Sequence, residues 1–146
     1  IFHMDYAART FSIPPLDGIS AKSVEEHIGL YQGYVKNFNA ISKLMPEYAG
    51  DMEKNGLALA ELIRRRSFEF GGMRLHELYF AQFEGGAAAL NPGSALGKQL
   101  AKEYKDAAHL EPFIKMIGGM RGPGWALLGN LHGWTLFVTR SARQGW

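Results

Sequence analysis

The most strongly patterned segment of this chain reads Ser23-Val-Glu-Glu-His27-Ile-Gly-Leu-Tyr31-Gln-Gly-Tyr34-Val-Lys-Asn-Phe38-Asn39. Apolar and aromatic side chains recur in it at intervals of three and four, and the pattern continues to Met45. Such spacing places these side chains on one face of an amphipathic helix. Ser20 or Ser23 can cap its start, Ser23 and Glu26 also fit a capping box, and Pro46 marks the expected end.

A second helix is predicted to begin between Gly50 and Asn55 and to run through Arg64-Arg65-Arg66. The pair Gly71-Gly72 is expected to interrupt it, because each glycine weakens a helix by about 1 kcal/mol, or to let something approach the backbone closely. The apolar pattern then resumes at Met73 and includes His76. Two long helices joined by a short polar loop should pack antiparallel.

Two histidines, His27 and His76, each lie on the apolar face of one of these helices. Burying an ionisable group on such a face costs a few kcal/mol unless a partner satisfies it. A shared metal ion would be such a partner. Since the chain has no cysteine, the ligands would be histidine, carboxylate or backbone oxygen. A lone histidine on an apolar face is more often a hydrogen-bonded core residue, and the pattern alone leaves that alternative open.

The rest of the chain follows a boundary made by Gly85-Gly86 and Asn91-Pro92-Gly93. A helix is predicted over about 94–108, and a shorter helix should contain Phe113 to Ile117. Glycine-rich turns then lead into two predicted strands, Trp125 to Leu128 and Trp134 to Arg140. Two strands alone make a marginal sheet, so a third strand is expected.

These elements predict an α+β fold. Its parts are an extended N-terminal arm over residues 1–19, an antiparallel long-helix hairpin over 20–88, and a partial α/β domain with a small antiparallel sheet over 89–146. Pro14-Pro15 and Asp17-Gly18 break regular structure in the arm and indicate a turn at its end.

Composition limits the classes of function. With 146 residues, 47% hydrophobic and 21% charged, the chain can form one compact core. Its net charge of +2 is spread in small mixed groups, which is not the electrostatic pattern of a nucleic-acid-binding protein. The run Arg64-Arg65-Arg66 is interpreted as a solvated helix face. No apolar stretch approaches the roughly 18 residues of a membrane span and no signal peptide is recognised, so a cytoplasmic protein is expected.

Three motifs in this order resemble the iron/manganese superoxide dismutases. Val24-Glu-Glu-His27 followed by Tyr34-Val-Lys-Asn-Phe-Asn39 resembles the family's first helix, which carries a histidine ligand and a gateway tyrosine. Gly71-Gly72-Met-Arg-Leu-His76-Glu-Leu-Tyr-Phe80 resembles the second-helix motif, which carries the second histidine ligand. Arg121-Gly-Pro-Gly-Trp125-Ala-Leu-Leu128 is similar to the segment that enters the first strand and lines the metal pocket.

The resemblance implies dismutation of superoxide to oxygen and hydrogen peroxide at one manganese or iron ion, in a homodimer with no nucleic-acid or membrane partner. It implies that His27 and His76 are metal ligands and that Tyr34 is the gateway residue. Gln144 would match the glutamine that hydrogen-bonds metal-bound solvent in manganese-type members. Gly72 stands where iron-type members place a glutamine, so both positions favour manganese.

The sequence also departs from the family pattern. The family's Asp-x-Trp-Glu-His segment, which supplies two further ligands, does not occur. The spacing from His27 to Tyr34 is one residue shorter than usual, and Phe80 stands where tryptophan is common. Two histidines alone hold a redox metal loosely. An alternative function is therefore a metal-free dismutase-like scaffold or assembly subunit without catalytic activity.

Overall fold

The structure, a computed structural model, describes the backbone of residues 5–131 and 135–142. The fold is α+β, as the sequence predicts, and the chain divides into two compact units after Ala87. The elements of the described residues, in chain order, are α1 (Ala21–Ala49), α2 (Met52–Ala81), α3 (Ala95–Tyr104), α4 (Ala107–Gly118), β1 (Gly124–Leu131) and β2 (Thr135–Ala142). No helix in this part of the chain is long and apolar enough to cross a membrane.

Helix α1 is longer than predicted. Its N-cap is Ser20, whose side chain accepts a hydrogen bond from the Ser23 amide. The helix continues through Pro46 to Ala49, so the prediction that it ends at Pro46 is wrong. Proline removes a backbone donor and is costly in the middle of a helix. Pro46 lies in the last turn, so the hydrogen bond that it cannot donate, to the Ser42 carbonyl, is one of the last of the helix.

Helix α2 is continuous through Gly71-Gly72, so the predicted interruption does not occur. Asp51 caps its start by accepting from the Lys54 amide. A glycine penalty of about 1 kcal/mol is smaller than the stabilisation from burying large side chains on the same helix. Met73 and Phe80 supply that burial on the next two turns.

Helices α1 and α2 pack against each other as an antiparallel hairpin. Asn55 donates to the Tyr48 carbonyl beside the connecting loop, whereas the rings of His27 and His76 meet near the other end. The core of this unit is the buried cluster of Tyr31, Val35, Met73 and Phe80, and Phe11 and Ile13 of the N-terminal arm pack against it. The arm ends in a turn closed by a bridge between Leu16 and Ile19.

The second unit contains α3, α4 and a two-stranded sheet. Strands β1 and β2 pair antiparallel, from Gly124 opposite Ala142 to Leu131 opposite Thr135. Leu100 and Leu110 form its buried cluster. The predicted helix over 94–108 is wrong at its end, because Lys105 leaves the helix with a φ of 73° and Asp106 begins α4 as its N-cap. Trp134 lies outside the described residues.

Candidate metal centre

His27 of α1 and His76 of α2 face each other across the hairpin. Their ring centroids are 4.8 Å apart and the rings are inclined at 78°. His76 is buried, with 5% of its surface exposed, and His27 is half-buried. Metal–imidazole bonds are about 2 Å long. Two rings at this separation can therefore place one nitrogen each on a common ion.

A backbone contact orients the His76 ring. Its Nδ1 lies 2.7 Å from the carbonyl oxygen of Gly72, one helical turn earlier. A carbonyl oxygen only accepts, so this contact places the proton on Nδ1 and leaves the lone pair on Nε2. Histidines that bind metals are commonly held in this way, with one ring nitrogen donating to a neighbour and the other free for the ion.

Both histidines are held in the neutral form. Burial lowers the pKa of His27. Burial also lowers the pKa of His76, the Gly72 carbonyl opposes that shift, and the neighbouring His27 adds to it. Because an ordinary histidine pKa is about 6.5, both imidazoles are predominantly neutral at pH 7. The neutral imidazole is the form that binds a metal ion.

Tyr34 lies beside His76 and directly over Gly72. The centroids of the Tyr34 and His76 rings are 5.1 Å apart. A Cβ atom at position 72 would overlap Cδ1 and Cε1 of the Tyr34 ring, whereas a Cβ at Gly71 would meet open space. The glycine pair thus permits a close approach to the backbone, and only Gly72 is needed for it.

Aromatic rings surround the histidine pair. Phe80 lies 5.1 Å from His27 and 6.0 Å from His76, measured between ring centroids. Tyr79 lies 5.1 Å from His27, and Tyr31 stacks on His76 at 6.5 Å. These rings leave little polar surface near the imidazoles, which favours their neutral state. Trp125, which the resemblance also assigns to the pocket, is half-buried on β1 of the second unit.

No family model matches the chain. A curated protein of Aquifex pyrophilus named Superoxide dismutase [Fe] is 33% identical over 119 residues, which are 78% of this chain and 55% of that protein. Proteins of the same name from Aquifex aeolicus and Saccharolobus solfataricus are 32% identical over 119 residues and 26% identical over 132 residues.

The chain is related to the iron/manganese superoxide dismutases. It spans 55% of the length of each Aquifex relative and 63% of the Saccharolobus relative. The matches cover 78% to 82% of this chain, so the relationship extends beyond the histidine motifs. The names of the relatives give iron as their metal.

A buried carboxylate, that of Glu77, directly follows His76 in α2, and the sequence pattern did not single it out. Glu77 is 1% exposed. Its Oε1 accepts from the hydroxyls of Tyr6, at 2.7 Å, and Tyr31, at 2.9 Å, and Arg74 binds its Oε2. The signal available in the sequence was the spacing of four from Met73, which places Glu77 on the buried side of α2.

The phenols that contact Glu77 stay protonated. Burial, with the hydrogen bond to Glu77 among the lesser contributions, raises the pKa of Tyr31 to about 12. The hydrogen bond to Glu77 is the largest cause that raises the pKa of Tyr6. Both hydroxyls therefore act as donors to the carboxylate at neutral pH.

The described residues bring two candidate ligands together. They contain no cluster of three or more histidine, aspartate or glutamate side chains placed to hold a metal ion. Of the four site residues predicted from the sequence, three lie together, because the His76 ring contacts both His27 and Tyr34. Gln144 lies outside the described residues.

Proposed function

We propose that this chain carries part of a superoxide dismutase site, in which His27 and His76 bind one iron or manganese ion. The observation that supports it best is the contact of two neutral imidazoles at 4.8 Å, with His76 oriented through Nδ1. Relatives named Superoxide dismutase [Fe] support the same reaction. That reaction would convert superoxide to oxygen and hydrogen peroxide.

The metal, when bound, would supply one-electron oxidation of one superoxide and one-electron reduction of the next. His27 and His76 would hold it through neutral nitrogens, and their aromatic surroundings would exclude water. Tyr34, 5.1 Å from the His76 ring between centroids, would stand at the entrance and assist proton delivery. Gln144 is proposed as the residue that hydrogen-bonds metal-bound solvent.

The metal is proposed as iron or manganese without a preference. As the counterpart of an iron-type glutamine, Gly72 favours manganese. The Tyr34 ring gives a separate reason for a glycine there, because any Cβ would overlap it. Gly72 therefore does not discriminate between the metals. Gln144 favours manganese by resemblance, whereas the names of the relatives favour iron.

A second candidate function is a dismutase-like scaffold or assembly subunit that binds no metal. It is favoured by the fact that the residues whose side chains the structure describes contain no group of three or more histidine, aspartate or glutamate side chains placed to hold a metal ion. The cytoplasmic location and the homodimer remain predictions from the sequence.

Metal content separates the two candidates. The purified chain would be compared with His27→Ala, His76→Ala and the control His109→Ala, which removes an exposed histidine of α4, by elemental mass spectrometry. We expect close to one iron or manganese per chain in the parent and the control, and loss of it in the other two variants. A parent chain that is folded by circular dichroism and contains no metal would favour the scaffold.

A further inference from the structure

The carboxylate of Glu77 accepts hydrogen bonds from three separate segments of the first unit. Tyr6 belongs to the N-terminal arm, Tyr31 to α1 and Arg74 to α2 itself. A buried charge is costly unless hydrogen bonds satisfy it, and bonds to a charged group are among the strongest in proteins. Glu77 is therefore stable in its place only while the arm and α1 are both in contact with it.

The arm backbone is bound at the same point. The Tyr6 amide donates to Oδ1 of Asn39, and Nδ2 of Asn39 donates to the Tyr6 carbonyl, each at 2.9 Å. The Arg9 amide donates to the Tyr31 hydroxyl at 2.8 Å. The Tyr31 hydroxyl thus accepts from the arm while it donates to Glu77, which connects the arm backbone to the buried carboxylate.

The arm covers the side of the helix pair that carries His27. Phe11 packs against Tyr31 and Phe80, with ring centroids at 5.7 Å and 5.2 Å. Farther along the arm, Ile13, Leu16 and Ile19 line a cavity of about 90 Å³ that His27 also borders. These side chains separate His27 from solvent, so release of the arm would expose it.

Two further polar contacts between the arm and the helices are exposed. The ion pair of Asp5 with Lys43, at 2.8 Å, is more than half exposed at both side chains, and such pairs contribute little. The bond from the Ser12 amide to Glu84 is also at the surface. Among the polar contacts of the arm, the buried ones of Glu77 are therefore the better candidates for fixing its position, beside the apolar packing of Phe11 and Ile13.

We propose that Glu77, with Tyr6 and Tyr31, is a positioning residue that latches the N-terminal arm over the side of the helix pair that carries His27. The latch acts on His27 and His76 through the arm and through the Tyr31 ring. The latch rests on the proposed function only in the role of the residues on which it acts, His27 and His76. The contacts of Glu77 with Tyr6 and Tyr31 do not involve a metal.

Tyr6→Phe tests the latch with the least change of shape, since it removes one hydroxyl and keeps the ring. The matched control is Tyr48→Phe on α1, whose hydroxyl has no hydrogen bond to the residues that the structure describes. Amide hydrogen exchange of the full chain would be measured at Arg9 in the arm and at Met73 in α2. A lost bond to a charged group predicts roughly 10- to 100-fold faster exchange at Arg9 in Tyr6→Phe, with Met73 unchanged.

Exposure of the histidines provides the second readout. Acylation by diethylpyrocarbonate, followed by mass spectrometry after chelator treatment, would report the reactivity of His27 and, as an internal control, of the exposed His109. We expect faster modification of His27 in Tyr6→Phe and in Glu77→Gln, and no change at His109. If Glu77→Gln does not fold, Tyr6→Phe still decides the result.

Two results would overturn the latch: exchange at Arg9 within twofold of the parent in Tyr6→Phe, or faster exchange there with unchanged reactivity of His27. Both measurements succeed without bound metal. A parent chain with no metal but with the predicted exchange would therefore reject the dismutase proposal and retain the latch.

Discussion

The two ends of the α1–α2 hairpin are built differently. At the end that holds the histidine pair, the two helices bury Tyr31, Met73 and Phe80 together with the polar Glu77 and His76. From residue 43 to residue 68, around the connecting loop, no side chain is buried. Leu57 in that part is 92% exposed. At the histidine end, the two helices are thus stabilised by tertiary packing. At the loop end, each helix is stabilised mainly by its own backbone hydrogen bonds.

We expect the largest loss of stability from truncating a buried aromatic side chain at the histidine end. Phe80→Ala should lower the free energy of unfolding by about 3–5 kcal/mol, because it removes a buried aromatic side chain and leaves a cavity. Leu57→Ala, its counterpart at the loop end, should change it by less than about 0.5 kcal/mol. Urea denaturation of the two variants measures both values. Similar losses of unfolding free energy in Phe80→Ala and Leu57→Ala would contradict the difference between the two ends of the hairpin.

The neighbouring glycines provide a sharper test within one helix. Gly71→Ala should stabilise the chain by about 0.5–1 kcal/mol, because alanine favours a helix and the added Cβ meets open space. Gly72→Ala should destabilise it by about 1–3 kcal/mol, because the Cβ overlaps the Tyr34 ring. Thermal or urea unfolding would measure both.

Truncating Tyr34 provides the control for this pair. In a Tyr34→Ala background the overlap is gone, and Gly72→Ala should then stabilise the chain as Gly71→Ala does. A Gly72→Ala variant that is equally destabilised with and without the Tyr34 ring would show that the ring is not the cause.

A modest and local effect is expected from removing the helix cap at the loop end. Asp51→Ala removes the side chain that accepts from the Lys54 amide at the start of α2, and loss of such a cap costs about 1 kcal/mol. Hydrogen exchange should accelerate in the first turns of α2 and remain unchanged at Met73. An equal acceleration at Met73 would mean that the two ends open together.

Periodicity predicted much of this arrangement. The spacing of three and four placed His27 and His76 on the apolar faces of two helices, and the short loop implied that the helices pack antiparallel. Both features are present in the structure. The roles of His27, His76, Tyr34 and Gln144 in a metal site stay predictions.

Predictions of where helices end failed for reasons that differ from one site to the next. Gly71-Gly72 does not end α2, since a helix penalty of about 1 kcal/mol for each glycine is overcome by the burial of Met73 and Phe80. Pro46 does not end α1 because it lies in the last turn. Lys105 ended α3 earlier than the pattern indicated, through a left-handed backbone that the residue type does not favour.

Local spacing along the chain determined which side chains share a helix face, because that depends only on the 3.6-residue repeat. It could not determine which partner each side chain meets. Glu77 bonds to Tyr6 across 71 positions and to Tyr31 across 46, and contacts over such separations exist only after the arm and both helices have packed. Only the tertiary structure provides the donors that allow Glu77, a residue type that is normally exposed, to be buried.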